Sequence, residues 1–118
     1  MNIYLQNVMD HFHNPECYGK LADYTHSFAI KNLSCGDKIQ VYLRIQANKL
    51  EQVSFEAEGC AISVAAASMF LSEIQGMEVP KILLLDKQFI LDLLEMDLSP
   101  MRLKCALLCM EAVKKAIT

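Results

Sequence analysis

The sequence predicts an α+β fold: a three-stranded antiparallel sheet packed with about five helices on one face. Three observations carry that expectation. Apolar residues near the N-terminus recur at helical spacing, three consecutive segments between Ser27 and Glu58 alternate with a period of two, and the pattern turns helical again from Ala61 to the end. A run of strands followed by a run of helices suits an α+β domain better than alternating βαβ units. The 118 residues have the size of one domain, expected over 1–118, and a hydrophobic fraction of 53% is ample for one core.

The first helix is expected over Asn2 to His13, with Ile3, Leu5, Val8, Met9 and Phe12 on its apolar face and Asn14-Pro15 as the stop. His11 and His13 lie near its end, where a cation is favourable against the helix dipole. Glu16 to Tyr24 reads as irregular, with a turn at Gly19. The first strand runs from about Ser27 to Leu33 and ends at Ser34-Cys35-Gly36-Asp37. The second, Ile39 to Gln46, alternates cleanly: Ile39, Val41, Leu43 and Ile45 face the core, and Gln40, Tyr42, Arg44 and Gln46 face water. Ala47-Asn48-Lys49 makes a tight connection to the third, Leu50 to Glu58, with Val53, Phe55 and Ala57 inward.

From Ala61 the run Ala-Ile-Ser-Val-Ala-Ala-Ala-Ser-Met-Phe-Leu is rich in small residues that allow close approach to the sheet, and Gly76 is its C-terminal stop. Val79 to Leu85 is strongly apolar, and a helix is expected from Asp86 to Met96. Ser99-Pro100 is an N-cap followed by proline at the first helical position, opening a last helix to about Ile117. Leu103, Leu107, Met110 and Val113 are expected along its buried face.

A net charge of −3 argues against broad electrostatic binding to nucleic acid. Arg102, Lys104, Lys114 and Lys115 are the candidates for a small basic patch. No apolar run has transmembrane length and no basic, then hydrophobic leader is visible, so no membrane association and a cytoplasmic location are expected. In a reducing compartment the five cysteines (Cys17, Cys35, Cys60, Cys105 and Cys109) are free thiols, either core fillers or ligands and nucleophiles.

Cys35 sits in a turn with Asp37 two residues on, at a spacing that lets both side chains share a pocket. Cys60 follows Gly59 at a strand-to-helix junction, where helix-start amides and the dipole favour a thiolate. Cys105 lies in the first turns of the last helix. Three thiols and a carboxylate form a tetrahedral set for zinc or an open, oxygen-containing set for an iron–sulfur cluster. The alternative for each is bland: a buried small hydrophobe for a cysteine, as Cys109 is read, and a turn residue for Asp37, while Cys17 is either such a core filler or a surface thiol. No Cys-x-x-Cys pair is present.

Ser34-Cys35-Gly36-Asp37-Lys38, Phe55 to Ser63 followed by Ala67-Ser68, Arg102 to Leu108, and the His11-x-x-Asn14-Pro15 motif together resemble the NifU/IscU/SufU family of iron–sulfur assembly scaffolds, in the right order and over nearly the whole chain. The resemblance implies the same α+β sandwich, with Cys35, Asp37, Cys60 and Cys105 holding a nascent, transient [2Fe–2S] cluster, iron or, alternatively, zinc. Asp37 would be the oxygen ligand that keeps the assembly labile. It further implies a scaffold or sulfur acceptor rather than an enzyme, with a pyridoxal-phosphate cysteine desulfurase as sulfur donor, Cys105 as persulfide acceptor and apoproteins as cluster acceptors.

The departures are specific. Lys104 stands where Isc-type scaffolds carry histidine, as in SufU-type proteins, and its charge would modulate Cys105 or meet an acidic partner. The longer insert of SufU-type proteins between the second and third cysteines is missing. Leu33 replaces a proline and Cys17 an asparagine. Leu98-Ser99-Pro100-Met101-Arg102 matches the segment for an Hsp70-type chaperone only in part. Three readings follow: a [2Fe–2S] scaffold, a SufU-type zinc-dependent sulfurtransferase, and a degenerate paralogue with structural zinc only.

Overall fold

A computed structural model describes residues 3–33 and 36–118, the first three of these by backbone alone. Its elements run α1 (Ile3–His13), β1 (His26–Asn32), β2 (Asp37–Gln46), β3 (Lys49–Glu58), α2 (Ala61–Ile74), α3 (Val79–Leu83), α4 (Lys87–Leu94) and α5 (Pro100–Ile117). The strands form one antiparallel sheet in the order β1-β2-β3. The expected α+β class, meander and helix count are all present. The expected helix start at Asn2 and the side chains of Ile3 and Leu5 lie outside the described residues.

The meander follows from its connections. Gln46 pairs with Lys49, leaving Ala47 and Asn48 as a two-residue turn, both at positive φ (53° and 63°). That conformation matches the twist of adjoining strands. Leu50 and Val53 are both buried although three residues apart, which strict alternation does not allow. The register shifts between Arg44, opposite Gln52, and Ile45, opposite Leu50, so Glu51 is the extra residue of a bulge. Phe28, Ile39, Val41, Leu43, Val53 and Phe55 then meet α2 and α5 in the core.

α2 is buried from Ile62 through Leu71, so it is the central helix, not a surface one. α1 packs on it from one side, with Val8 buried, and α4 from another. α5 departs from the sequence expectation. Its buried residues are Cys105, Ala106, Leu108, Cys109, Met110, Ala112 and Val113, while Leu103 and Leu107 sit at the margin, half-buried. The cause is that α5 touches α2, β1 and β2 together, and small Cys and Ala side chains permit that close approach.

Glu16 to Tyr24 also does more than connect. Phe55 N–H donates to the Cys17 carbonyl at 2.9 Å and Gly19 N–H to the Phe55 carbonyl at 2.8 Å, which covers the outer edge of β3. Cys17 stands at φ 59°, a left-handed position that asparagine tolerates better than cysteine. The expected basic patch is divided: Lys114 donates to the Leu85 carbonyl and Lys115 lies 5.8 Å from the centre of the Phe28 ring. Tyr42, expected to face water, is buried on the outer sheet face against Tyr24, and its hydroxyl donates to Glu56 at 2.6 Å. Among the described residues no helix is long and apolar enough to cross a membrane.

Candidate metal centre

Three elements end at one place. Asp37 is the first residue of β2, and the pairing of Lys38 with Glu58 sets it beside the chain at Gly59 and Cys60. Cys60 is the N-cap of α2, in extended conformation with no capping bond from its own side chain. Cys105 lies in the second turn of α5, buried against α2. One ligand atom from each of Asp37, Cys60 and Cys105 falls within 4.8 Å of the other two. Cys35, the fourth expected ligand, lies outside the described residues.

The donor set fits a tetrahedral metal. Bond lengths of about 2.3 Å for Zn–S and about 2.1 Å for Zn–O put sulfur and oxygen ligands roughly 3.6 Å apart on one ion. Cys60 Sγ is 3.7 Å from Asp37 Oδ2. Asp37 is 2% exposed, and a carboxylate so buried requires donors. Its Oδ1 accepts from Cys60 N–H at 3.0 Å and its Oδ2 from the Ser63 hydroxyl at 2.5 Å.

Two residues quoted only as parts of a motif gain definite roles here. A Cβ on Gly59 would lie 2.5 Å from Asp37 Oδ1 and 2.9 Å from its Cγ, so glycine is what admits the carboxylate. Ser63 is 1% exposed and also has its oxygen 3.4 Å from the Cys105 carbonyl and 3.8 Å from Cys60 Sγ. The signal for Ser63 was available: a polar side chain inside a buried apolar helix needs a partner.

The other expected residues separate from this group. Lys104 is exposed while Cys105 beside it is buried. Cys109 is fully enclosed, and burial drives its thiol far above the usual range, as an inert core residue requires. Burial, and then the charge of Glu16, also raise Cys17. His11 Nδ1 lies 2.7 Å from the Ser68 hydroxyl, which ties α1 to α2, and the same hydroxyl accepts from Glu16 N–H at 2.7 Å. Leu33 and Met101, close in sequence to Asp37 and Cys105, are 87% and 60% exposed.

Comparison with known proteins agrees with this picture. The family model described as the NifU-like N-terminal domain matches residues 3–118. The zinc-dependent sulfurtransferase SufU of Bacillus subtilis is 32% identical, covering 98% of this chain and 89% of its own. That alignment runs over 133 residues, more than this chain has, so SufU carries residues without a counterpart here. The iron–sulfur cluster assembly scaffold protein IscU 1 of Archaeoglobus fulgidus is 29% identical over 115 residues, covering 98% of this chain and 74% of its own. A crystal structure of a candidate iron–sulfur cluster assembly scaffold for the SUF system, from Fervidobacterium islandicum, superposes with a TM-score of 0.81 at 26% identity, covering 96% and 95% of the two chains.

Proposed function

The chain belongs to the NifU-like N-terminal domain family, and we propose that it works as one domain over residues 1–118, a scaffold on which [2Fe–2S] clusters are assembled and passed to apoproteins. The observation that carries this reading is the convergence of Asp37, Cys60 and Cys105, from a strand start, a helix cap and a helix turn, within 4.8 Å. Two thiolates and one carboxylate, with Cys35 as the remaining ligand, suit iron or zinc. The carboxylate is the harder, more exchangeable donor, which favours temporary holding of a cluster that has to leave again.

Sulfur would come from a pyridoxal-phosphate cysteine desulfurase. The Cys105 thiolate attacks the terminal sulfur of the donor persulfide, a new S–S bond forms at Cys105, and the donor cysteine leaves as its thiolate. Cys105 is 2% exposed, so this step requires its cover to move aside. Exposed Leu33 and Met101 supply apolar contact for a docking protein, and exposed Arg102 and Lys104 supply charge for an acidic one.

The second reading, a SufU-type zinc-dependent sulfurtransferase, is favoured by the similarity to the Bacillus protein and by Lys104. The absent counterpart residues favour the scaffold. Metal analysis and a sulfur-transfer assay on wild type, Cys105→Ser and Asp37→Ala decide between them. A scaffold reconstitutes a coloured, oxygen-sensitive cluster and Asp37→Ala lengthens its lifetime. A sulfurtransferase retains zinc as isolated and stimulates desulfurase turnover. If Cys105→Ser alters neither metal content nor sulfur acceptance, both readings fail.

A further inference from the structure

Among the described residues Ser63 is the hydroxyl that touches all three converging ligand residues, and nothing in the proposed chemistry uses it. We propose that Ser63 is a positioning residue for the metal: with the Cys60 amide it clamps Asp37 by both oxygens and presents Oδ2 to the ion.

The geometry is a two-point hold. A carboxylate turns readily about its last torsion, where the energy wells are broad. Cys60 N–H fixes Oδ1 at 3.0 Å and Ser63 Oγ fixes Oδ2 at 2.5 Å, the short range of a hydroxyl donating to an ionised acceptor. Both donors belong to the first turn of α2, as its N-cap and the third residue after it. The oxygen held by Ser63 is also the one 3.7 Å from Cys60 Sγ, so the hydroxyl orients the oxygen that faces the thiol. A serine hydroxyl has one proton. The contact at 2.5 Å takes it, and the Cys105 carbonyl at 3.4 Å is the weaker alternative. An oxygen with one lone pair so occupied offers the metal the other, which gives single-oxygen ligation. Groups that orient a ligand in this way commonly control metal affinity as strongly as a ligand itself.

This inference rests on the metal-binding reading above. Its test uses zinc as the probe and the full chain, with affinity measured by competition against a chelator. Ser63→Ala removes one atom from a helix that accepts alanine well, and thermal melting checks that the fold is kept. Zinc affinity is expected to fall by about 10- to 100-fold in Ser63→Ala, the usual effect of losing such a hydrogen bond, and to recover in Ser63→Thr. In an Asp37→Ala background the same substitution should change nothing, because the carboxylate to be positioned is gone. Unchanged affinity in Ser63→Ala, or an equal fall in both backgrounds, overturns the inference and leaves the metal site standing. Wild-type protein that binds neither zinc nor iron overturns the proposed function and this inference together.

Discussion

α2 and α5 begin in contrasting ways. α5 is closed by its own neighbours: the Ser99 hydroxyl accepts from Arg102 N–H at 3.3 Å and Pro100 takes the first helical position. α4 does the same, with Asp86 accepting from Gln88 N–H at 3.0 Å. The start of α2 is closed from a distance. Cys60 makes no side-chain cap, and its amide is taken by Asp37, 23 residues earlier. That is the bond which a glutamate at the third helical residue makes in a capping box; here Ser63 holds that position and hands its hydroxyl to the same carboxylate. An ordinary helix start depends on local sequence. That of α2 depends on the sheet being formed and on the residue proposed to bind metal.

Substitutions at the two starts test this contrast, measured by urea unfolding with chelator present so that metal binding does not add to stability. Gly59→Ala should have the largest effect, a loss of about 3 kcal/mol, because the new Cβ forces Asp37 out and breaks both of its bonds to α2. Asp37→Ala should cost about 2 kcal/mol by leaving buried donors unmet, with Asp37→Asn recovering part of it. Ser99→Ala should cost about 1 kcal/mol, as local caps do, and leave metal affinity unchanged. If Ser99→Ala proved more damaging than Asp37→Ala, the distinction between the two starts would collapse. At the other end of α4, Glu95 sits at φ 51°, so Glu95→Gly should add about 0.5 kcal/mol.

The outer sheet face gives a pH-dependent control. The bond from Tyr42 to Glu56, then burial, raise its phenol from 10.0 to about 12. The folded state therefore holds this proton more tightly than the unfolded chain. The resulting stability is complete below pH 10.0 and is lost as pH rises to about 12. A Tyr42→Phe protein should lack that part of the alkaline decline, seen as a flatter stability profile, while α2 and the cysteines are unaffected.

What was legible in the sequence is what neighbours decide. The three strands, the Ser99-Pro100 start of α5 and the Gly76 stop of α2 are written in period and turn chemistry, and the structure has them. What was not legible depends on several partners at once. Leu103 and Leu107 looked like the face of α5, yet Cys105 and Cys109 lie deeper because the helix is wedged among three elements. Leu50 and Val53 share a face only because of the bulge at Glu51. Asp37, Cys60 and Cys105 were legible as candidates from their motifs. Ser63 read as one more small residue of α2, and its partner Asp37, 26 residues away, is what only the fold supplies.

The hairpin register divides the three converging residues between two parts of the fold. Pairing Lys38 with Glu58 brings Asp37 to Cys60 through the β2–β3 hairpin and the following turn. Cys105 comes from α5, 45 residues further along the numbering. The group is therefore a pair joined by a hydrogen bond and a third member on a separate part of the chain. Lifting the first turns of α5 would withdraw the Cys105 thiol and leave Asp37 and Cys60 in place, opening the group on one side without unfolding the sheet.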